Sequence, residues 1–361
     1  MPDDADTDAA GDAASDSAPE EAATTLRPGF WAIARRALAA FADWFWANAV
    51  VAAFGVWLVG QVWRDGSRWT GRLFLVPSVC VAAALLATAL LARVCTCRRI
   101  AWAALILSIP PLASALLVEN RWWQPATTGD AERRMRLVHW NIGPSPDGIA
   151  PKIERLKSLK ADAYLLTEVY APEAAAQVAK AMGPEFTYVH QHHMLLLARG
   201  RTRLVLTDER IPRRAYFVEW ESPQGVLTTL LVDAPSTYYH ARLLRDVRDR
   251  IVTHEVDVAA GDFNASRRSR ALRLPKGYAH AYDAAGCGWS ATWHDRWPLW
   301  DIDQCIVGPR IQPIRYRLRS TGLSDHRLGI LDFSVATPAA EGSAATAPTT
   351  AAAPAPPTKR P

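Results

Sequence analysis

The chain has 361 residues, 50% of them hydrophobic and 21% charged, with 15 Trp. This apolar content excludes a wholly disordered protein or a coiled coil, and the length suits about two domains of ~150 residues. The net charge of +5 conceals a segregation, because residues 1–26 hold eight acids and no base.

That acidic, Ala/Ser/Thr-rich start cannot bury enough apolar surface to offset its ordering entropy, so residues 1–28 are expected to be a disordered tail. Residues 29–121 read as a membrane anchor. Within them lie apolar stretches at about 44–63, 73–94 and 100–118. Each is long enough, at 1.5 Å per residue, to cross a ~30 Å hydrocarbon core. Trp44, Trp46, Trp63, Trp69, Trp122 and Trp123 stand at their ends, as an interfacial belt requires. Arg27, Arg35, Arg36, Arg93, Arg98 and Arg99 outnumber Arg64, Arg68 and Arg72 on the other side. By the positive-inside rule the N-terminus is then cytoplasmic, and everything after Arg121 is extracytoplasmic. The expected location is the plasma (inner) membrane, with multiple passes.

From Arg136 the pattern alternates. Strands are predicted at 136–140, 163–169, 194–198, 226–232, 256–260, 302–307 and 328–333, and helices at 152–160, 173–182 and 241–252. This defines an α/β domain over residues 134–335 with no visible internal repeat. A second tail rich in Ala, Pro and Thr, expected to be disordered, covers 336–361. Cys287 and Cys305 could pair in an oxidising compartment or stay as two unpaired thiols, and no Cys/His spacing suits zinc.

The polar residues at strand ends carry the chemistry. Asn141 follows the first strand, Glu168 closes the second, and Asp262 and Asn264 follow Val258-Ala259-Ala260-Gly261. Asp303 starts a later strand, and Asp325-His326 precede the last. Rigid elements can bring such residues to one cleft, where hard oxygen ligands suit Mg2+ or Mn2+ and a His beside carboxylates suits acid/base or phosphate-contact work.

These segments resemble the endonuclease/exonuclease/phosphatase (DNase I-like) superfamily of metal-dependent phosphohydrolases. The matching blocks are Trp140-Asn141, Thr167-Glu168-Val169, Gly261-Asp262-Phe263-Asn264, Ile302-Asp303 and Ser324-Asp325-His326-Arg327, in family order. The anchor is similar to that of bacterial membrane members of the teicoplanin-resistance type. The resemblance implies a four-layer αββα sandwich behind three transmembrane helices, with the site at one end. It implies Glu168 as principal metal ligand, with Asn141 and Asp325 near the metal. Asp262 would orient or deprotonate the attacking water, Asn264 would bind the phosphate or position that water, and His326, oriented by Asp303, would contact the scissile phosphate. Many members carry a His after the strand corresponding to 227–232, where this chain has Asp233. Protonation of the leaving group is left open among Asp233, water and another residue.

Other candidates have plainer readings. His190, His192 and His193 read as strand-face or rim residues before a second metal cluster, and His139 reads as core. The groups Arg199-Arg201-Arg203, Arg213-Arg214 and Arg267-Arg268-Arg270 read as phosphate grips or as solvated surface. Trp289, Trp293, Trp297 and Trp300 read as core, cleft rim or interfacial residues. The resulting expectation is a membrane-anchored, extracytoplasmic, Mg-dependent phosphoesterase whose favoured partner is a lipid or lipid-linked phosphate, because a tether raises the effective concentration of membrane-borne substrates. The rivals are a surface nuclease on external nucleic acid and a non-catalytic binding module keeping the fold. No oligomeric state is specified.

Overall fold

The computed structural model describes residues 28–125, 129–144, 148–206, 214–236 and 240–336. Both predicted tails, apart from Pro28 and Ala336, lie outside the described residues, as do Arg27 and Arg213.

Helix α1 (Pro28–Trp63) begins well before the expected start at residue 44 and has 36 residues, about 54 Å of helix. A short 3-10 turn leads to α2 (Arg68–Phe74), capped by reciprocal hydrogen bonds between Ser67 and Thr70. The single helix expected over 73–94 is interrupted. It separates into α2 and α3 (Ser78–Val94), which meet at 64°. The cause is Pro77, extended at φ −63° and ψ 132°. Its ring excludes the residue before it from helical backbone and removes one donor. Helix α4 (Arg98–Ala113) continues as a π-turn to Glu119, just beyond Pro110 and Pro111, and closely matches the expected third stretch. Two helices are thus long and apolar enough to cross a membrane, and a third if α2 and α3 form one bent span.

The remainder is a mixed α/β two-sheet sandwich. The first sheet contains β1 (Met135–Asn141), β2 (Ala163–Thr167), β3 (Phe186–Gln191), β4 (Met194–Arg199), β11 (Ile311–Arg319) and β12 (Leu328–Val335), in the order β11-β12-β1-β2-β4-β3. The second contains β5 (Arg201–Leu206), β6 (Ala215–Ser222), β7 (Gly225–Asp233), β8 (Val258–Asp262), β9 (Ala279–His280) and β10 (Asp303–Val307), in the order β5-β6-β7-β8-β10-β9. Strands β3, β5, β6, β9 and β11 were not expected from periodicity.

Each sheet is built around one parallel pair, β1 with β2 and β7 with β8, flanked by antiparallel strands. A parallel pair needs a crossover. Helices α5 (Ala150–Leu159) and α7 (Ala241–Thr253) supply it, with α6 (Pro172–Met182) beside α5. Alternation along the strands divides the core accordingly. Leu137, Leu165, Leu231 and Ala260 meet between the sheets, Val138, Tyr164 and Leu166 pack on Leu156 and Val178, and Leu230 and Ala259 pack on Val247 and Ile251. The four layers α-β-β-α follow. The short helix α8 (Ala281–Ala285) packs against β10 and β11.

The helical segment and the sandwich are fastened together. Asp65, in the turn after α1, accepts from Ser269 Oγ at 2.5 Å and from Arg270 N at 2.6 Å, while Glu119 at the end of the π-turn pairs with Arg268 at 3.0 Å. Trp300 Nε1 donates to the Leu75 carbonyl at 2.9 Å. Asn120 Oδ1 accepts from Ser290 N at 2.7 Å.

Candidate active site

The carboxyl ends of the two parallel pairs face one another, and the expected site residues gather there. Asn141 ends β1 opposite Thr167 of β2, and Asp262 ends β8 opposite Asp233 of β7. The buried Asn141 amide bridges the sheets, donating to Glu168 Oε1 at 3.0 Å and to Asp262 Oδ2 at 3.1 Å. Glu168 does not close the strand as expected. It lies one residue beyond β2 with φ +61°, a left-handed turn that directs its carboxylate into the cleft. Asn264 likewise adopts φ +46°, its backbone N–H donating to Asp262 Oδ1 at 2.8 Å and its Nδ2 to the Ala234 carbonyl at 2.8 Å.

Antiparallel pairing of β8 with β10 sets Asp303 directly opposite Asp262. Asp303 Oδ2 lies 2.9 Å from His326 Nδ1, so the imidazole is held by one nitrogen with the other free to address a ligand. Burial alone would lower the His326 pKa, but the charge and hydrogen bond of Asp303, then Asp262 and Asp325, raise it to about 10. His326 is therefore an imidazolium at neutral pH. Burial, with Asp303 adding to it, also pushes the Asp262 carboxyl well above its ordinary range, against the opposing pull of His326. Asp325 shows the contrary balance: burial pushes its pKa up, but the Trp293 Nε1 hydrogen bond at 3.0 Å and the His326 charge hold it below its ordinary value.

Two places could hold a cation. Ligand atoms of Asp262, Asp303 and His326 lie within 4.8 Å of one another, but the protonated imidazole already supplies that group's positive charge. The second place fits better. Gly143, with φ +53°, leaves a recess in which a Cβ would lie 3.2 Å from Asp325 Oδ1 and 4.0 Å from Glu168 Oε2. Hard carboxylate oxygens around a space left by a missing side chain suit a small divalent ion. The Asn141 Oδ1 accepts from Gly143 N at 3.0 Å, next to this recess. These are the three residues expected near a metal.

Neither the burial of Lys152 nor the pairing of His193 with Asp233 was expected from the sequence. Lys152 reads as the start of an amphipathic helix, yet it is buried, donating to the carbonyls of Ile142 and of Gly143, the latter at 2.7 Å. Burial lowers its pKa, and Glu168 and Asp325 partly restore it. His193, in the β3–β4 turn, sits with Nε2 at 2.5 Å from Asp233 Oδ2. The His190–His193 group is not a metal cluster, since His190 Nε2 contacts the Val169 carbonyl at 2.8 Å and His192 lies against the Tyr216 ring. His139 is core, as expected, with Nε2 at 2.7 Å from the Tyr316 hydroxyl.

Arg267 and Arg268 are not phosphate grips. Arg267 is only 7% exposed and pairs with Asp301 at 2.7 Å and Asp283 at 3.1 Å, and Arg268 is held by Glu119 and Gln61. Arg203 pairs with Glu219 at 2.5 Å. Of the tryptophans, Trp293 and Trp300 line the cleft, whereas Trp297 is exposed. Cys287 and Cys305 are free thiols, and burial pushes that of Cys305 up to about 12.

Residues 140–326 match the Endonuclease/Exonuclease/phosphatase family. The chain belongs to that family, and it is a metal-dependent phosphoric ester hydrolase, a nuclease or a phosphatase. No curated protein matches it. Among solved structures it is similar to a D. rerio TDP2 humanized by 14 mutations, at 16% identity over 56% of this chain and 100% of that one, with TM-score 0.46. An endonuclease/exonuclease/phosphatase from Beutenbergia cavernae is 19% identical over 56% and 72%, with TM-score 0.43. A family protein from Bacteroides thetaiotaomicron is 12% identical over 58% and 98%, with TM-score 0.45.

Proposed function

We propose that this hydrolase uses Mg2+ or Mn2+, is held in the plasma membrane by its helices with the N-terminus cytoplasmic and the catalytic domain outside, and cleaves a lipid or lipid-linked phosphate. The observation that carries this reading is the junction between site and helices. The loop that leaves Asp262 and Asn264 is bonded within a few residues to Asp65 and Glu119, at the ends of apolar helices. A cleft so fastened meets bilayer components at high effective concentration. The same junction occupies Arg267 and Arg268, the side chains a nuclease would use for backbone phosphates.

In this reading Glu168, Asp325 and Asn141 hold the divalent ion, which when bound polarises the phosphoryl oxygens. Asp262, oriented by Asn141 and by the Asn264 amide, takes the proton of the attacking water. Asn264 positions the water or the phosphate. The His326 imidazolium, fixed by Asp303, donates to a phosphoryl oxygen and stabilises charge as the pentavalent state forms. Asp233, together with His193, is assigned to the leaving group.

The test is phosphate release by the full chain in detergent micelles, with Mg2+, from a lipid phosphate, a DNA duplex and a soluble phosphomonoester. The expected result is fastest turnover of the lipid, abolished by EDTA. Faster cleavage of DNA would overturn the lipid assignment, and full activity in EDTA would overturn the mechanism.

A further inference from the structure

The cleft is larger than a phosphoryl site needs, and its far wall does not belong to the sandwich. It is a cavity of about 1140 Å3, more than the roughly 300–1,000 Å3 of a typical small-molecule pocket. From the sandwich it is lined by Glu168, Asp262, Asn264, Asp325 and His326. The helical segment contributes Asp65, Gly71, Arg72 and Phe74, and then Leu75, Val76 and Pro77, the three residues at which the apolar helix breaks. Ala241, at the start of α7, faces it from the sandwich.

From this continuity we infer that the α2–α3 break is a subsite for the apolar chain of a bilayer-borne phosphoester, whose headgroup lies at Glu168 and His326. The inference rests on the reading above and adds the residues that select the substrate. Three features support it. Polar groups of the sandwich and apolar side chains of the α2–α3 break line one continuous cavity, as an amphiphile requires. The wall is held in place, since Trp300 fastens the Leu75 carbonyl and the Arg268 guanidinium lies 5.7 Å from the Phe74 ring centroid. Among the described residues Arg72 is the one arginine lining this cavity and no lysine lines it, so it lacks the row of cations that a polynucleotide backbone pairs with.

The test uses full-length protein in micelles and the binding of two phosphonates, hexadecylphosphonate and butylphosphonate. The readout is the ratio of their dissociation constants. Val76→Trp fills the apolar end and should reduce the long-chain preference at least tenfold. Val76→Ser, which removes apolar surface without adding bulk, should reduce it about threefold or more. Because both ligands are measured on one preparation, a partly unfolded sample leaves the ratio intact. An unchanged ratio in both variants would overturn the subsite. An oligonucleotide that displaces hexadecylphosphonate equally from wild type and Val76→Trp would assign the cavity to nucleic acid and also overturn it. If the ratio falls as expected while no lipid phosphate is hydrolysed, the proposed activity fails and the subsite stands.

Discussion

His193 Nε2 lies 2.5 Å from Asp233 Oδ2, joining the β3–β4 turn of one sheet to the end of β7 in the other. Asp233 stands where many members of the family carry a His. The position thus has an imidazole beside it, contributed by a different segment of chain. Asp233 is buried beside Asp262, its register partner across β7 and β8, so the pair borders the attacking group.

If His193 and Asp233 protonate the leaving group, the dependence on leaving-group basicity reports it. Asp233→Asn and His193→Ala should each lower hydrolysis of an alkyl phosphoester by roughly a hundredfold or more, the scale of general acid catalysis. A p-nitrophenyl ester, whose leaving group needs no proton, should change less than about threefold. Equal losses on both esters would make the pair structural, and a small effect on both would leave protonation to water.

The five strand-end blocks were legible because each is local: an apolar strand, then a polar residue held at its end. Asn141, Glu168, Asp262, Asn264, Asp303, Asp325 and His326 all converge as expected. His193 was not legible, since its meeting with Asp233 depends on how two sheets pack rather than on any periodicity. Arg267 and Arg268 looked like anion grips because their partner Glu119 lies some 150 residues earlier in the chain. The break at Leu75–Pro77 was hidden inside an apolar run, where mean hydropathy registers composition and not backbone geometry. The burial of Lys152 was not legible, because nothing in the local helical pattern says that the carbonyls of Ile142 and Gly143 would claim its ammonium.

The metal assignment has a charge-only test. Glu168→Gln removes a negative charge at nearly constant volume and can keep its contact with Asn141 Nδ2 through the amide oxygen. The variant should melt within a few degrees of wild type, yet need at least tenfold more Mg2+ for half-maximal activity. Asp262→Asn should instead lower kcat a hundredfold or more at saturating Mg2+, with little change in KM. A Glu168→Gln enzyme with unchanged metal dependence would remove Glu168 from the ligand set.

The proposed topology can be tested directly. With the N-terminus in the cytoplasm and three crossings, including the bent α2–α3 pair, a C-terminal alkaline phosphatase fusion should be active and a C-terminal GFP fusion dark. The reverse would overturn the orientation and place the cleft in the cytoplasm, whether by two crossings or by three with the N-terminus outside.

The His326–Asp303 pair predicts the alkaline behaviour. His326 has its pKa raised from 6.5 to about 10, chiefly by Asp303 against the effect of burial, and its charged form is the one assigned to the phosphoryl oxygen. Wild-type kcat/KM should therefore stay level from pH 7 to about pH 9. Asp303→Asn removes the largest raising influence, so the alkaline limb should move down by more than one pH unit. Linkage gives a second readout with a definite sign. Because the folded pKa exceeds the unfolded one, the pair's contribution to stability is complete below about pH 6.5 and disappears as pH rises through about 10. The difference in Tm between wild type and Asp303→Asn should then be largest near pH 6 and shrink toward pH 10. A difference that widened with pH would mean that His326 is held neutral, and its role as a charged phosphate contact would have to be given up.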